Sequence, residues 1–172
     1  MHFRHMMFAM VLLPQVACAQ DDAAADNPGA ALSDFAPKVS DEDIFTAAGF
    51  QYADGAWRRC GDPGTASYEP GQIARRGDFN ADGLPDAIVT EGGTYCFGMS
   101  GLGYTLVSLS ADGTWRILDD RVGIPEFLET SGIDGWPDIE VGGPGFCFPV
   151  VRWNGSVYEV NRREYEGKPC KS

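Results

Sequence analysis

Histidine is almost missing from this sequence: His2 and His5 are the only two, both at the extreme N-terminus. Basic residues are also few, with 13 Lys and Arg against 25 Asp and Glu and a formal net charge of -12. No Cys-x-x-Cys pair, no Gly-Lys-Ser/Thr phosphate loop and no apolar run long enough for a permanent membrane span is present. Each absence closes a class. Nucleic-acid and anionic-membrane binders need concentrated Lys and Arg to displace counterions. A redox site or zinc ribbon needs paired cysteines, and a permanent anchor needs roughly 20 apolar residues.

The N-terminus carries His2, Arg4 and His5, an apolar run from Met6 to Val16, and then Ala17-Cys18-Ala19. This order reads as a secretory signal peptide over 1–19. The alternative, lipidation at Cys18, is weakened by Gln15, where such a pattern prefers Leu. Cleavage after Ala19 removes both histidines. The mature chain then has no imidazole for a Ser-His-Asp or Cys-His unit or for a zinc site. The expected location is periplasmic or secreted, with no integral membrane segment after signal removal.

Residues 20–40 are rich in Ala, Asp, Pro and Ser without apolar periodicity, and read as a flexible leader. Ser40-Asp41-Glu42-Asp43 has the form of a helix start, with Ser40 as cap and acids at the positive end of the dipole. Ile44, Phe45, Ala48 and Phe50 supply an apolar side, and Gly49 a stop. Four cysteines remain in the mature chain, Cys60, Cys96, Cys147 and Cys170. An even count in an exported chain favours two disulfides, with three connectivities open.

An internal repeat organises the rest. Asp82-Gly83-Leu84-Pro85-Asp86 matches Asp134-Gly135-Trp136-Pro137-Asp138, and each is followed by a strand-like run. Downstream, Tyr95-Cys96-Phe97 corresponds to Phe146-Cys147-Phe148. Both units then pass through an apolar run, a turn (Asp112-Gly113 or Asn154-Gly155) and a second run. A third such turn, Asp54-Gly55, lies upstream. Asp-Gly and Asn-Gly between apolar runs are strong hairpin signals, because both central residues of a type I′ turn need positive φ. The pattern predicts an all-β, mainly antiparallel fold of seven to nine strands with one short N-terminal helix. A single domain over 41–172 contains two related units, about 52–118 and 119–172. The repeat suggests pairing Cys60 with Cys96 and Cys147 with Cys170; a bridge between the equivalent Cys96 and Cys147 is the alternative.

The segment from Asp78 to Asp86 has the form D-x-N-x-D-G-x-x-D. Oxygen side chains at alternating places, then a turn glycine, then another carboxylate, wrap a chain around a hard cation, and calcium takes six to eight oxygens. Asp78, Asn80, Asp82 and Asp86 would supply side-chain oxygens, Leu84 its carbonyl, and Gly83 the turn. The place where an EF-hand carries its last acid is Val89, and the flanks are strand-like. Asp78-Phe79-Asn80-Ala81-Asp82-Gly83-Leu84-Pro85-Asp86, between Gly77 and Ala87-Ile88-Val89, resembles the calcium-loop strand of FG-GAP or VCBS repeats, the units of integrin-type β-propellers. The resemblance implies an extracellular, calcium-stabilised β unit. It covers one unit well and the second poorly, and two units cannot close a propeller. Thr130 and Gly132 stand at the places of Asp78 and Asn80, so the second loop is expected to be vestigial, with Asp134 and Asp138 capping turns.

The expectation is an exported, non-catalytic calcium-binding module with one site, acting on a protein or envelope glycan. A disulfide-stabilised inhibitor or structural protein is the first alternative. A carboxylate hydrolase drawing on Glu126, Glu129, Glu140, Glu164 and Glu166 is the second. Trp136, Phe146 and Phe148 are a candidate partner surface, with packing of Trp136 over the second turn as the ordinary reading. The pairs Arg58-Arg59, Arg75-Arg76 and Arg162-Arg163 are each expected to split into one paired and one solvated arginine.

Overall fold

The computed structural model describes residues 39–170. The expected signal peptide over 1–19 and nearly all of the expected 20–40 leader lie outside the described residues. Helix α1 (Asp41–Ala47) forms as the sequence predicts. Ser40 Oγ accepts the Asp43 amide at 3.1 Å, and the Asp43 carboxylate accepts the Ser40 amide at 2.9 Å, a reciprocal cap.

Strands follow in order: β1 (Gln51–Ala53), β2 (Ala56–Arg58), β3 (Glu69–Gly77), β4 (Asp86–Gly92), β5 (Leu102–Leu109), β6 (Trp115–Val122), β7 (Ile124–Ser131), β8 (Pro137–Gly142), β9 (Phe148–Trp153), β10 (Tyr158–Tyr165) and β11 (Lys168–Pro169). A four-residue helix, α2 (Thr94–Phe97), interrupts them between β4 and β5, where the sequence showed no helical period. The fold is therefore all-β and antiparallel. β1 and β2 form a hairpin, β3-β4-β5-β6 a first sheet, and β7-β8-β9-β10-β11 a second, each in chain order. Neither sheet closes on itself. The change of sheet falls at Gly123, after the expected 118/119 boundary, because β6 runs on to Val122.

Burial explains the composition of the strands. Ile88, Tyr104 and Leu106 of the first sheet face Trp136, Ile139, Val141, Val151, Trp153 and Tyr158, mainly from the second, in one cluster. Ala87, Val89 and Val107 point the other way, against Ile44, Phe45, Ala48 and Phe50 of the helical segment, with Trp57 packed alongside. The first sheet is thus covered on both faces, so Ala87-Ile88-Val89 is continuously apolar rather than alternating. Trp57 stacks on Phe45 at 4.8 Å, and Tyr158 donates to the Pro137 carbonyl at 2.9 Å, so the aromatics after the turns are packing residues.

The disulfides join Cys60 to Cys96 and Cys147 to Cys170, the pairing that the repeat suggests, with Cα atoms 6.2 and 5.8 Å apart. They span 36 and 23 residues. In the chain-entropy view such loops contribute about 4 and about 3 kcal/mol.

The turns differ in detail from the expectation. Asp54-Gly55 has positive φ at both residues, 51° and 79°, as a type I′ turn requires. At Asp112-Gly113 and Asn154-Gly155 only the glycine does. At Asp112-Gly113 the connection has an extra residue, with Gly113 donating to Ser110 and Ser110 to Thr114. Glu166-Gly167 makes a further turn with positive φ at both residues, placing Glu166 between β10 and β11.

Candidate metal centre

The acidic loop joins β3 to β4, and its residues Asp78 and Asp82 are exposed. Asp78 organises the turn: its two oxygens accept the amides of Asp82 at 3.0 Å and Gly83 at 2.8 Å. Asp82 accepts the Leu84 amide at 2.8 Å and the Asn80 side-chain amide at 3.0 Å. Ala81 takes a left-handed φ of 61° to make this wrap. Each of these four carboxylate oxygens carries one hydrogen bond, and a carboxylate oxygen has two lone pairs. Leu84 is half-buried.

Asp86 differs in kind. It is 1% exposed, at the first residue of β4 opposite Ser108. One oxygen accepts the Phe79 amide at 2.7 Å, while the other is buried with no hydrogen-bond partner. Burial pushes its pKa up to about 6, opposed by the Phe79 amide and by the Ser108 hydroxyl, which lies close but makes no hydrogen bond to the free oxygen, and reinforced by the negative charges of Asp82 and Asp78. By chemistry the loop's carboxylates and amide oxygen, with the orphaned Asp86 oxygen, are the donor types a hard cation takes. Among the described residues no three His, Cys, Asp or Glu side chains already converge on one point. The loop's oxygens are turned onto its own amides.

The second unit answers the same problem with arginine. Asp138, the counterpart of Asp86, is 0% exposed. Arg152 grips both its oxygens at 2.8 Å, Arg162 donates to one at 2.5 Å, and the Thr130 hydroxyl donates at 2.6 Å. Burial would raise its pKa, but the hydrogen bonds from Arg152, Thr130 and Arg162 outweigh that and lower it to about 2. Asp138 is therefore a buried carboxylate held by two partly exposed arginines rather than a turn cap. Thr130, at the place of Asp78, serves that carboxylate. Gly132, at the place of Asn80, has no room for a side chain, since a Cβ would stand 2.2 Å from the Trp153 carbonyl oxygen. Asp134 alone keeps a turn role, with φ 56°.

The two turns meet. Gly135 packs so closely on the first loop that a Cβ there would lie 2.7 Å from the Asn80 carbonyl oxygen. Phe79 meets Phe127 edge to face at 4.9 Å, and Arg75 lies over both rings at 5.0 and 4.8 Å. The acidic loop is thus part of the seam between the sheets, which linear spacing does not reveal.

The other candidates disperse. Trp136 is 5% exposed in the inter-sheet core, while Phe146 is 76% exposed and touches Tyr165, as does half-buried Phe148. The three do not form one surface, because Trp136 turns inward to pack on Trp153. Glu126 and Glu140 face each other across β7 and β8, and Glu140 is raised by burial and by the charges of Glu126 and Glu164. Glu164 binds Arg162 at 2.5 Å, Glu129 lies beside Asp78 in a separate groove, and Glu166 is in its turn. Arg59 bridges Asp120, the Ala48 carbonyl and Thr105, while Arg58 covers the Tyr68 ring. Arg76 pairs with Asp41, and Arg163 reaches the Cys147 carbonyl. Both members of each arginine pair are therefore engaged, by carboxylates, carbonyls or aromatic rings. Among the described residues no helix is long and apolar enough to cross a membrane, and two disulfides suit an oxidising compartment.

Comparison of the chain with protein-family models, curated proteins and solved structures finds no match in any of the three.

Proposed function

We propose that this chain is an exported calcium-binding β module that acts by binding rather than by catalysis, related in its first unit to FG-GAP or VCBS repeats. The observation that carries the reading is the contrast between the two equivalent aspartates. Asp138 is buried and held by two guanidinium groups, whereas Asp86, at the end of the loop that carries Asp78, Asn80 and Asp82, is buried with one oxygen unpartnered. A buried carboxylate is stable when a cation faces it. In the second unit that cation is arginine, and in the first unit no arginine is supplied. Asp78, Asn80, Asp82, Asp86 and the Leu84 carbonyl would hold one calcium ion, whose contribution is charge neutralisation and rigidity of the seam. The partner class remains that of the sequence reading, a protein or an envelope glycan.

Isothermal titration with calcium and with magnesium tests the reading. Calcium binds and raises the melting temperature, magnesium does so far less, and Asp82→Ala removes the calcium effect. At a calcium concentration one hundred times the Kd the stabilisation is about 2.7 kcal/mol. Absence of heat and of any thermal shift at millimolar calcium overturns it.

A further inference from the structure

Two equivalent connections meet at the end of the fold remote from the acidic turns. The first, 93–101, joins β4 to β5 and carries α2, and the second, 143–147, joins β8 to β9. A Cβ on Gly143 would stand 3.1 Å from Ser100 Oγ, so the two connections touch. The crossing between the sheets lies at the same end: Gly123 donates to the Leu102 carbonyl at 2.9 Å, and a Cβ on it would stand 2.7 Å from the Gly142 carbonyl oxygen. Each connection is tied by its own disulfide, through Cys96 and Cys147. This end is apolar and open. Met99 is 88% exposed and Tyr95 65%, Phe146 stands out against Tyr165, and Val122 and Ile124 are exposed at their strand ends. Together these side chains expose roughly 600 Å² of apolar surface. The largest apolar patch on a typical monomer is about 300–600 Å², and a stable interface takes about 800 Å² from each partner. The end therefore supplies most of one side of an interface.

Charge selects the occupant. No Asp, Glu, Lys or Arg occurs in 92–111, 122–125 or 141–151, the segments that build this end, although the chain carries a net charge of -12. The turns at the other end of the same strands carry Asp78, Asp82, Asp112 and Asp134. Two copies that approach through those turns set like charges against each other. Through the uncharged end apolar surface meets apolar surface, and the acidic turns stay a strand's length away, about 25 Å, well beyond the Debye length of about 8 Å. Glu166 and Lys168, both exposed in the β10–β11 hairpin beside Tyr165, give each copy one group of each sign to offer across a two-fold axis. We infer that the chain forms a two-fold dimer through this end, with a second copy as the occupant. The dimer does not rest on the calcium reading, because its surface lies at the opposite end from the calcium loop.

Sedimentation equilibrium of the exported chain from about 1 to 500 µM, in calcium and in chelator, tests this. The chain behaves as a monomer–dimer system with a micromolar Kd that is the same in both buffers. Met99→Glu and Phe146→Glu each weaken dimerisation at least about tenfold, by setting a charge against its own copy. Val157→Glu, also at an exposed apolar residue but on the β9–β10 turn at the acidic end, leaves it unchanged. In dilute, monomeric protein none of the three moves the melting temperature by more than about 3 °C. Flotation with phosphatidylcholine vesicles is run alongside. A monomer at every concentration, vesicle binding by a chain that does not dimerise, a dimer indifferent to both Met99→Glu and Phe146→Glu, or a dimer that forms only with calcium overturns the inference. Calcium binding by a strictly monomeric chain leaves the calcium reading standing and removes the dimer, and a dimer in a chain that ignores calcium does the reverse.

Discussion

Replacing each of the two equivalent aspartates by asparagine is expected to move stability in opposite directions. In metal-free protein Asp86 is raised by burial to about 6, from an ordinary value near 4. For an acid whose folded-state pKa is raised, the native state holds the extra proton between pH 4 and 6, so stability falls as pH rises through that window. Above pH 6 the full cost is present, about 3 kcal/mol from a shift of roughly two units. Asp86→Asn keeps an oxygen to accept the Phe79 amide and removes the charge, so it raises the metal-free melting temperature at pH 7 by up to roughly 10 °C. The gain vanishes at pH 4. The same substitution abolishes stabilisation by calcium. Asp138 runs the other way. Its pKa is lowered to about 2, so its contribution is present above pH 4 and is lost as pH falls towards 2. Asp138→Asn leaves Arg152 without its anion and Arg162 with Glu164 alone, and costs about 2–4 kcal/mol at pH 7. Calorimetric unfolding in chelator between pH 4 and 8 reads all of this. If Asp86→Asn is destabilising in chelator at pH 7, the argument that Asp86 lacks its cation is refuted.

Four further outcomes follow from the packing. Gly132→Ala forces a Cβ against the Trp153 carbonyl and lowers stability by about 1–3 kcal/mol in urea unfolding. Trp153→Ala opens the inter-sheet cluster and costs about 3–5 kcal/mol, measured in the same way. Replacing Cys147 and Cys170 together by serine lowers stability by about 3 kcal/mol, and peptide mapping under non-reducing conditions finds Cys60 with Cys96 and Cys147 with Cys170. Tyr158→Phe removes one hydrogen bond to the Pro137 carbonyl and costs about 1 kcal/mol.

The parts of the fold that were legible in the sequence are those fixed by local chemistry. Ser40 and Asp43 cap their own helix, Asp54-Gly55 needs only its own φ values to turn, and the repeat sets Cys96 and Cys147 at matching places, each bridged within its own unit. Glu166-Gly167 turns equally sharply, but a glutamate before glycine is a weak turn signal beside Asp or Asn. What stayed hidden depends on the distant part of the chain that each residue meets. Arg152 and Arg162 carry no mark of serving Asp138, because β9 and β10 are brought to β8 only by the sheet. Trp136 stands beside a turn and looks available, yet the second sheet folds it against Trp153. The degeneracy of the second loop looked like loss of a metal site, with Thr130 and Gly132 in place of Asp78 and Asn80. Its logic is exchange: the buried aspartate is kept, its cation comes from two arginines, and Gly132 leaves the space that the Trp153 carbonyl occupies. A unit that supplies its own cation does not need the solvent's, and the unit that lacks one has an unpartnered oxygen at the same position.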